Sequence, residues 1–211
     1  MARTVRLLSK AVIGLFTASA LVGCISVLPE ADPAPARFLL SPAPVSESGP
    51  SIDASLTIAD PSATRALATT SIALMRSPGV VEYYRGGEWS DRAPALMRTA
   101  LLRSFENSGR ILSVGDSVSM PAGAYTLRTD IRSFHIAFGD AGPRAEVSVY
   151  ARLTNRRGRV LAAKLFDHSR PLKKDAVDLA GAMLNDSAGE ALASIVDWSL
   201  ATIAEDSAGG S

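Results

Sequence analysis

The apolar positions of this chain change their period as it proceeds, and each change marks an element. Ala11–Val22 carries no charge and follows Arg3, Arg6 and Lys10. A basic flank, a short apolar run and small residues in that order predict an export signal over residues 1–23. Its twelve residues fall short of the roughly 20 that a bilayer-spanning helix needs. Ile25–Ala36 holds three prolines and little that could pack, which predicts a stiff, extended tether over 24–36. Short apolar runs follow at Arg37–Leu40, Ser55–Ile58, Ser71–Met75 and Val80–Tyr84. Each reads as a strand, and Ser77-Pro78-Gly79 between the last two predicts a hairpin turn. Ser41–Pro50 reads as loop, and Thr64–Thr70 as loop or helical turn.

From Asp91 to Asn107 the spacing lengthens. Ala93, Leu96, Met97, Ala100, Leu101 and Phe105 recur at three- and four-residue steps, one stripe of a helix. Ser90 or Asp91 can cap it, Pro94 sits in its first turn and Gly109 ends it. Ile111–Val114 then reads as a short buried strand. Period two takes over at Tyr125: Tyr125, Leu127, Thr129, Ile131, Ser133 and His135 alternate with Thr126, Arg128, Asp130, Arg132 and Phe134. Val147, Val149, Ala151 and Leu153 alternate in the same way with Glu146, Ser148, Tyr150 and Arg152. With turns at Gly139–Pro143 and Asn155–Gly158 and a return at Val160–His168, this is an antiparallel meander with one wet face. A last helix spans about Lys174–Ala204, weakened at Gly181 and Gly189 by about 1 kcal/mol each relative to alanine. The pattern predicts an α+β fold in a single domain over 37–205, an antiparallel or mixed sheet with two main helices packed on one face. Residues 206–211 are expected to fray.

Charge and composition narrow the function classes. Loss of residues 1–23 takes the basic count from 22 to 19 against 21 acidic residues, a net charge of −2. Arg156-Arg157-Gly158-Arg159 is the one basic group, and it reads as a solvated hairpin turn, so nucleic acid is not an expected partner. Cys24 is the only cysteine, so no disulfide staples the fold and the apolar core must hold it. His135 and His168 are the only histidines, which leaves no His/Cys zinc set, and no metal or cofactor is expected.

Leu21-Val22-Gly23-Cys24 resembles the bacterial lipobox, in which signal cleavage falls just before a lipidated cysteine. The cut would lie between Gly23 and Cys24, and Cys24 would carry the covalent lipid, several chains giving stable anchoring where one is marginal. An ordinary signal peptide or a short N-terminal membrane helix are the alternatives. Catalytic sets are sparse. Gly115-Asp116-Ser117 is similar to the serine block of GDSL-type hydrolases, but such a nucleophile needs a histidine oriented by a carboxylate, and the late Asp-x-x-His of those enzymes is missing. His135 reads as a partly buried strand residue. No enzyme is expected.

Val81–Pro94 is the most distinctive stretch of the mature chain, with Tyr83, Tyr84, Trp89 and Pro94 close together in a sequence only 6% aromatic. Trp89, Tyr83 and Tyr84 each suit either core packing or a partner contact, the latter since tyrosine and tryptophan are favoured at interfaces. At these residues the chain resembles the PqiC-like ABC-type transport auxiliary lipoprotein family: a strand ending in Tyr-Tyr, a short loop, Trp, then a proline just inside a helix. The similarity takes in the lipobox, Arg37-Phe38-Leu39-Leu40 as first strand and the closing helix with Trp198, about residues 36–204. Ser90-Asp91-Arg92-Ala93-Pro94 departs from it by setting the proline further from the tryptophan. The resemblance implies a non-catalytic lipoprotein at the outer membrane, facing the periplasm. Its partners would be an MCE-domain protein and an ABC permease and ATPase that move phospholipid or other hydrophobic molecules between the two membranes. Ile25 stands where the inner-membrane retention signal has Asp, which favours the outer membrane. A second copy of the chain is a further candidate partner. The other reading is a lipoprotein regulator or scaffold of another envelope machine, such as a peptidoglycan synthase.

Overall fold

The fold is organised on one long strand, β7 (Tyr125–Gly139). In this computed structural model, which describes residues 34–209, β7 is paired along both edges. One edge meets β8 (Gly142–Asn155) antiparallel, and β8 meets β9 (Val160–Pro171) antiparallel. The alternation from Tyr125 onward and the two turns at their expected places produce this meander. The other edge of β7 carries three parallel strands laid end to end: β2 (Ile52–Ile58), β3 (Ser62–Ala63) and β4 (Ser71–Ser77). Strand β6 (Ile111–Asp116) adds to β2 in parallel. Strand β5 (Val80–Trp89) adds to β4 antiparallel, and β1 (Ala36–Phe38) adds to β5 in parallel. The result is a nine-stranded mixed sheet.

Two helices pack on one face. The whole expected stripe of α1 (Ala93–Ser108) is buried. Its start differs from the expected cap: Arg92 is the N-cap residue and makes no side-chain bond to the helix. Asp91 instead accepts from the Arg92 N–H at 2.6 Å, and the Ala93 N–H is taken by the Thr69 carbonyl. Pro94 stands in the first turn and Gly109 closes the helix at φ +59°, as read. Helix α2 (Val177–Gly209) covers the sheet with Leu184, Leu192, Ile195, Leu200 and Ile203, all fully buried.

Helix α2 runs past the expected end of the domain at residue 205. Tyr125 Oη reaches Asp206 at 3.2 Å and Ser207 at 3.1 Å, and Arg159 pairs with Asp206 at 2.6 Å. Those side-chain bonds hold a turn that composition alone reads as frayed. Two further readings are corrected. The period-two assignment from Tyr125 to His135 slips at Arg132, where a bulge separates the Ile131–Val149 and Ser133–Ser148 pairs. One extra residue flips the faces, so Phe134 and Ile136 point into the core at 2% and 0% exposure. Strand β5 does not stop at Tyr84 but continues through Gly86 and Gly87 to Trp89. Gly86 takes φ +78°, a conformation glycine adopts without strain. Residues 1–33, with the export signal, Gly23, Cys24 and most of the tether, lie outside the described residues.

Candidate functional site

The β4–β5 arm carries the aromatic stretch, and alternation along β5 sends its members to different places. Trp89 is 1% exposed. It stacks on Phe134 (centroids 5.0 Å, 29°) and meets Phe38 edge-on (6.3 Å, 72°). Burial of a side chain this large is worth a few kcal/mol, and it leaves Trp89 no surface for a partner. Trp89 is the root of the arm. Tyr83 is the exposed member, 44% accessible, with its hydroxyl donating to the Ala66 carbonyl at 3.1 Å. Val80 at the arm's tip is also exposed.

Tyr84 faces the other way and joins a polar clamp. Its hydroxyl donates to Asp175 Oδ1 at 2.7 Å, while Arg76 Nη2 donates to Asp175 Oδ2 at 2.8 Å. Arg76 lies 4.2 Å over the Phe138 ring and 3.9 Å from Glu82. Asp175 precedes α2, so the clamp ties both strands of the arm to the helix that crosses the sheet. Burial, then the bond to Asp175, pushes the Tyr84 hydroxyl well above its usual range. Bonds from Arg76 and then Tyr84 hold the Asp175 carboxyl below its own. Neither group exchanges a proton near neutrality, so the clamp positions the arm and does no acid–base work.

The candidate catalytic residues fall apart in space. Asp116 ends β6 and its carboxylate accepts from Ser119 N–H at 2.8 Å, Ser119 Oγ at 2.9 Å and Val118 N–H at 3.0 Å. Those bonds lower its pKa, the Ser119 contribution first. Gly115-Asp116-Ser117 is the end of β6 and the start of a turn, and its carboxylate is spent on that turn. His135 is buried on β7, 3.7 Å from Glu146, and burial lowers its pKa against that partner.

Sequence reasoning missed one cluster. His168 Nδ1 is 3.6 Å from Glu190 Oε2 and its Nε2 is 3.4 Å from Ser194 Oγ, the order of a nucleophile, base and carboxylate. Glu190 and Ser194 come from α2, one turn apart, and only the packing of α2 on β9 brings them to His168. Arg170 also binds Glu190 at 2.5 Å. Ser194 lies within a helix, where the neighbouring N–H groups are spent on helical bonds and cannot bind an oxyanion. The cluster joins β9 to α2. Among the described residues no group of His, Cys, Asp and Glu is placed to hold a metal ion, and no helix is long and apolar enough to cross a membrane.

Comparison with known proteins bears on this architecture directly. The model of the family described as ABC-type transport auxiliary lipoprotein component matches residues 38–196, from β1 well into α2. Protein bll6063 of Bradyrhizobium diazoefficiens, itself uncharacterized, is 26% identical over 168 residues, 78% of this chain. The chain spans 44% of that relative's length. Among solved structures, protein XCC0632 of Xanthomonas campestris is 25% identical and superposes with a TM-score of 0.75 over 81% of this chain and 98% of its own. A second solved structure, of an uncharacterized protein, shares the fold at 16% identity and a TM-score of 0.61, over 78% of this chain and 98% of its own. The matched segment takes in Phe38, the aromatic arm, α1, the meander and most of α2, and the chain belongs to the ABC-type transport auxiliary lipoprotein family.

Proposed function

We propose that this protein is the non-catalytic, lipid-anchored component of an MCE-type ABC transport system. It would sit at the outer membrane facing the periplasm and receive the partner that carries phospholipid or other hydrophobic molecules between the membranes. The observation that carries the reading is the family match over residues 38–196. The likeness of Leu21-Val22-Gly23-Cys24 to a lipobox, with Ile25 after it, supports that location. Anchored in this way, the protein works by being held where its partner arrives.

The arm offers the partner contact. Tyr83 and Val80 are exposed on β5, while Trp89 and the Tyr84–Asp175–Arg76 clamp fix the strand that presents them. Rigid aromatics on a braced element suit recognition, because little side-chain entropy is lost on binding. The test is purification of the full-length protein from native membranes with identification of what accompanies it. An MCE-domain protein with its permease and ATPase is expected, and Tyr83→Ala should weaken their recovery without unfolding the domain. Recovery of cell-wall synthases in their place would replace this reading with that of a regulator or scaffold. Mass spectrometry of the N-terminal peptide should find acyl chains on Cys24, and an unmodified Cys24 would remove the anchor.

A further inference from the structure

Both helices lie on one face of the sheet, and the opposite face of the meander carries an unbalanced charge. Arg128 on β7 and Arg152 on β8 are direct cross-strand partners. Each is exposed between neighbours buried in the core: Leu127 and Thr129 beside the first, Ala151 and Leu153 beside the second. Both therefore point away from the helices, side by side. Like charges opposite one another on a sheet destabilise it. No carboxylate among the described residues lies within ion-pair distance of either. Arg132 on the same face stacks 4.6 Å over the Tyr150 ring. Arg156 and Arg157 in the β8–β9 turn are not part of this face: they line a cleft with Thr202, Glu205 and Asp206 of α2, and Arg156 donates to the Ala122 carbonyl.

The acids facing this patch do not neutralise it. Asp130 is 3.6 Å from Arg132 and accepts from Ser62 Oγ at 2.8 Å. Glu146, further along the sheet, is engaged by His135 and Arg144. Asp167 on β9 stands opposite Ser148, beyond Tyr150. Asp206 is bound by Arg159 and Tyr125, at the far end of α2. A chain with a net charge of −2 after residue 23 thus sets an unpaired arginine pair, Arg128 and Arg152, on one open face, at a cost in stability.

We propose that this face rests on an anionic phospholipid surface. Arginine forks match phosphate oxygens in bidentate fashion, and Arg128, Arg132 and Arg152 share one open sheet face, which suits an extended layer of headgroups. Basic residues near an anionic bilayer each add to the attraction, so two or more give a useful orienting force to a protein held beside it. The ten residues from Cys24 to Ala34 extend at most about 35 Å, which bounds how far the domain can stand from an anchoring membrane. The choice of a membrane over another surface rests on the reading of Cys24 as an anchor. The charge pattern does not.

The test uses residues 24–211 with Cys24→Ala, so that no acyl chain contributes; the core of the described residues, from Leu40 to Ile203, is retained. Binding is measured to vesicles of phosphatidylcholine alone and of phosphatidylcholine mixed with phosphatidylglycerol. Expected is binding that needs phosphatidylglycerol and is abolished in roughly 1 M salt, where the screening length is about 3 Å. The double variant Arg128→Ala, Arg152→Ala should bind at least about tenfold more weakly with an unchanged or higher melting temperature. A melting temperature unchanged or raised separates lost contact from lost fold. Binding indifferent to phosphatidylglycerol, or equal for the variant and its parent, overturns the proposal. So does a variant that loses transporter recovery from native membranes and keeps its vesicle binding, since the face would then serve a protein. Failure of the transporter reading itself shows only in which proteins co-purify, and leaves the vesicle result standing.

Discussion

Asp175 holds the arm to the body of the protein through two bonds of different kinds, and each can be removed separately. Tyr84→Phe deletes one neutral donor and leaves the carboxylate with Arg76, which should cost about 1 kcal/mol in denaturant unfolding. Asp175→Asn weakens both bonds, and its effect should depend on pH. The fold lowers the Asp175 pKa. Its contribution is therefore whole above the unfolded value of about 3.9 and fades as pH falls through the folded one. The stability gap between the parent and Asp175→Asn should be constant near neutrality and close under acid. A gap that persists at acid pH would show that the carboxylate's charge is not what matters. The fold raises the Tyr84 pKa, so that contribution is whole below about pH 10 and is lost as pH climbs through the raised value. Trp89→Ala, by contrast, empties a stack on Phe134 and an edge contact with Phe38. A loss of about 3–5 kcal/mol is expected in thermal or denaturant unfolding, and a loss near zero would show that the arm's root lies elsewhere.

Among the elements, β1 is the smallest and the most informative. Phe38 enters a slot that two glycines leave open: a Cβ at Gly181 would stand 2.6 Å from the Phe38 ring, and one at Gly87 2.9 Å from it and 2.6 Å from Val177. The Gly181 that weakens α2 in isolation is thus what lets β1 close the sheet edge beside Trp89. Gly181→Ala should cost about 1–3 kcal/mol by overpacking and expose residues 34–40 to limited proteolysis while the meander stays protected. Unchanged cleavage at β1 would mean the slot has slack. The sequence carried the meander, the α1 stripe and the closing helix clearly, because each is a long run of one period. It concealed what depends on distant partners. The bulge at Arg132 adds one residue with no compositional mark, so Phe134 was read on the wrong face. The parallel pairing of β2, β3 and β4 with β7 spans a helix and leaves no local pattern. His168 gains Glu190 and Ser194 only through the docking of α2 on β9, and Asp206 gains Tyr125 and Arg159 in the same way. Trp89 and Tyr83 were visible as a cluster, but their separation into root and surface needed β5 to continue through Gly86.

For the whole molecule, the sheet divides labour between its faces. One is closed by α1 and α2 and holds the apolar core; the other is open, polar and basic at the end where β7 begins. The described residues gather no set competent for catalysis, and the braced arm presents Tyr83 at its surface. A stable body and a presented edge are what the structure gives to a member of the auxiliary transport family. Replacement of Cys24 by Ala should let a high-salt wash release the protein from membranes while leaving its melting temperature unchanged, because every core residue among the described residues lies at or beyond Leu40. The most direct measurement is cross-linking from position 83 in the anchored, full-length protein, followed by identification of the partner. The account predicts a cross-link to an MCE-domain protein, lost when the arm is loosened by Asp175→Ala. Cross-links to a cell-wall synthase, or none to any component of an ABC transport system, would contradict it.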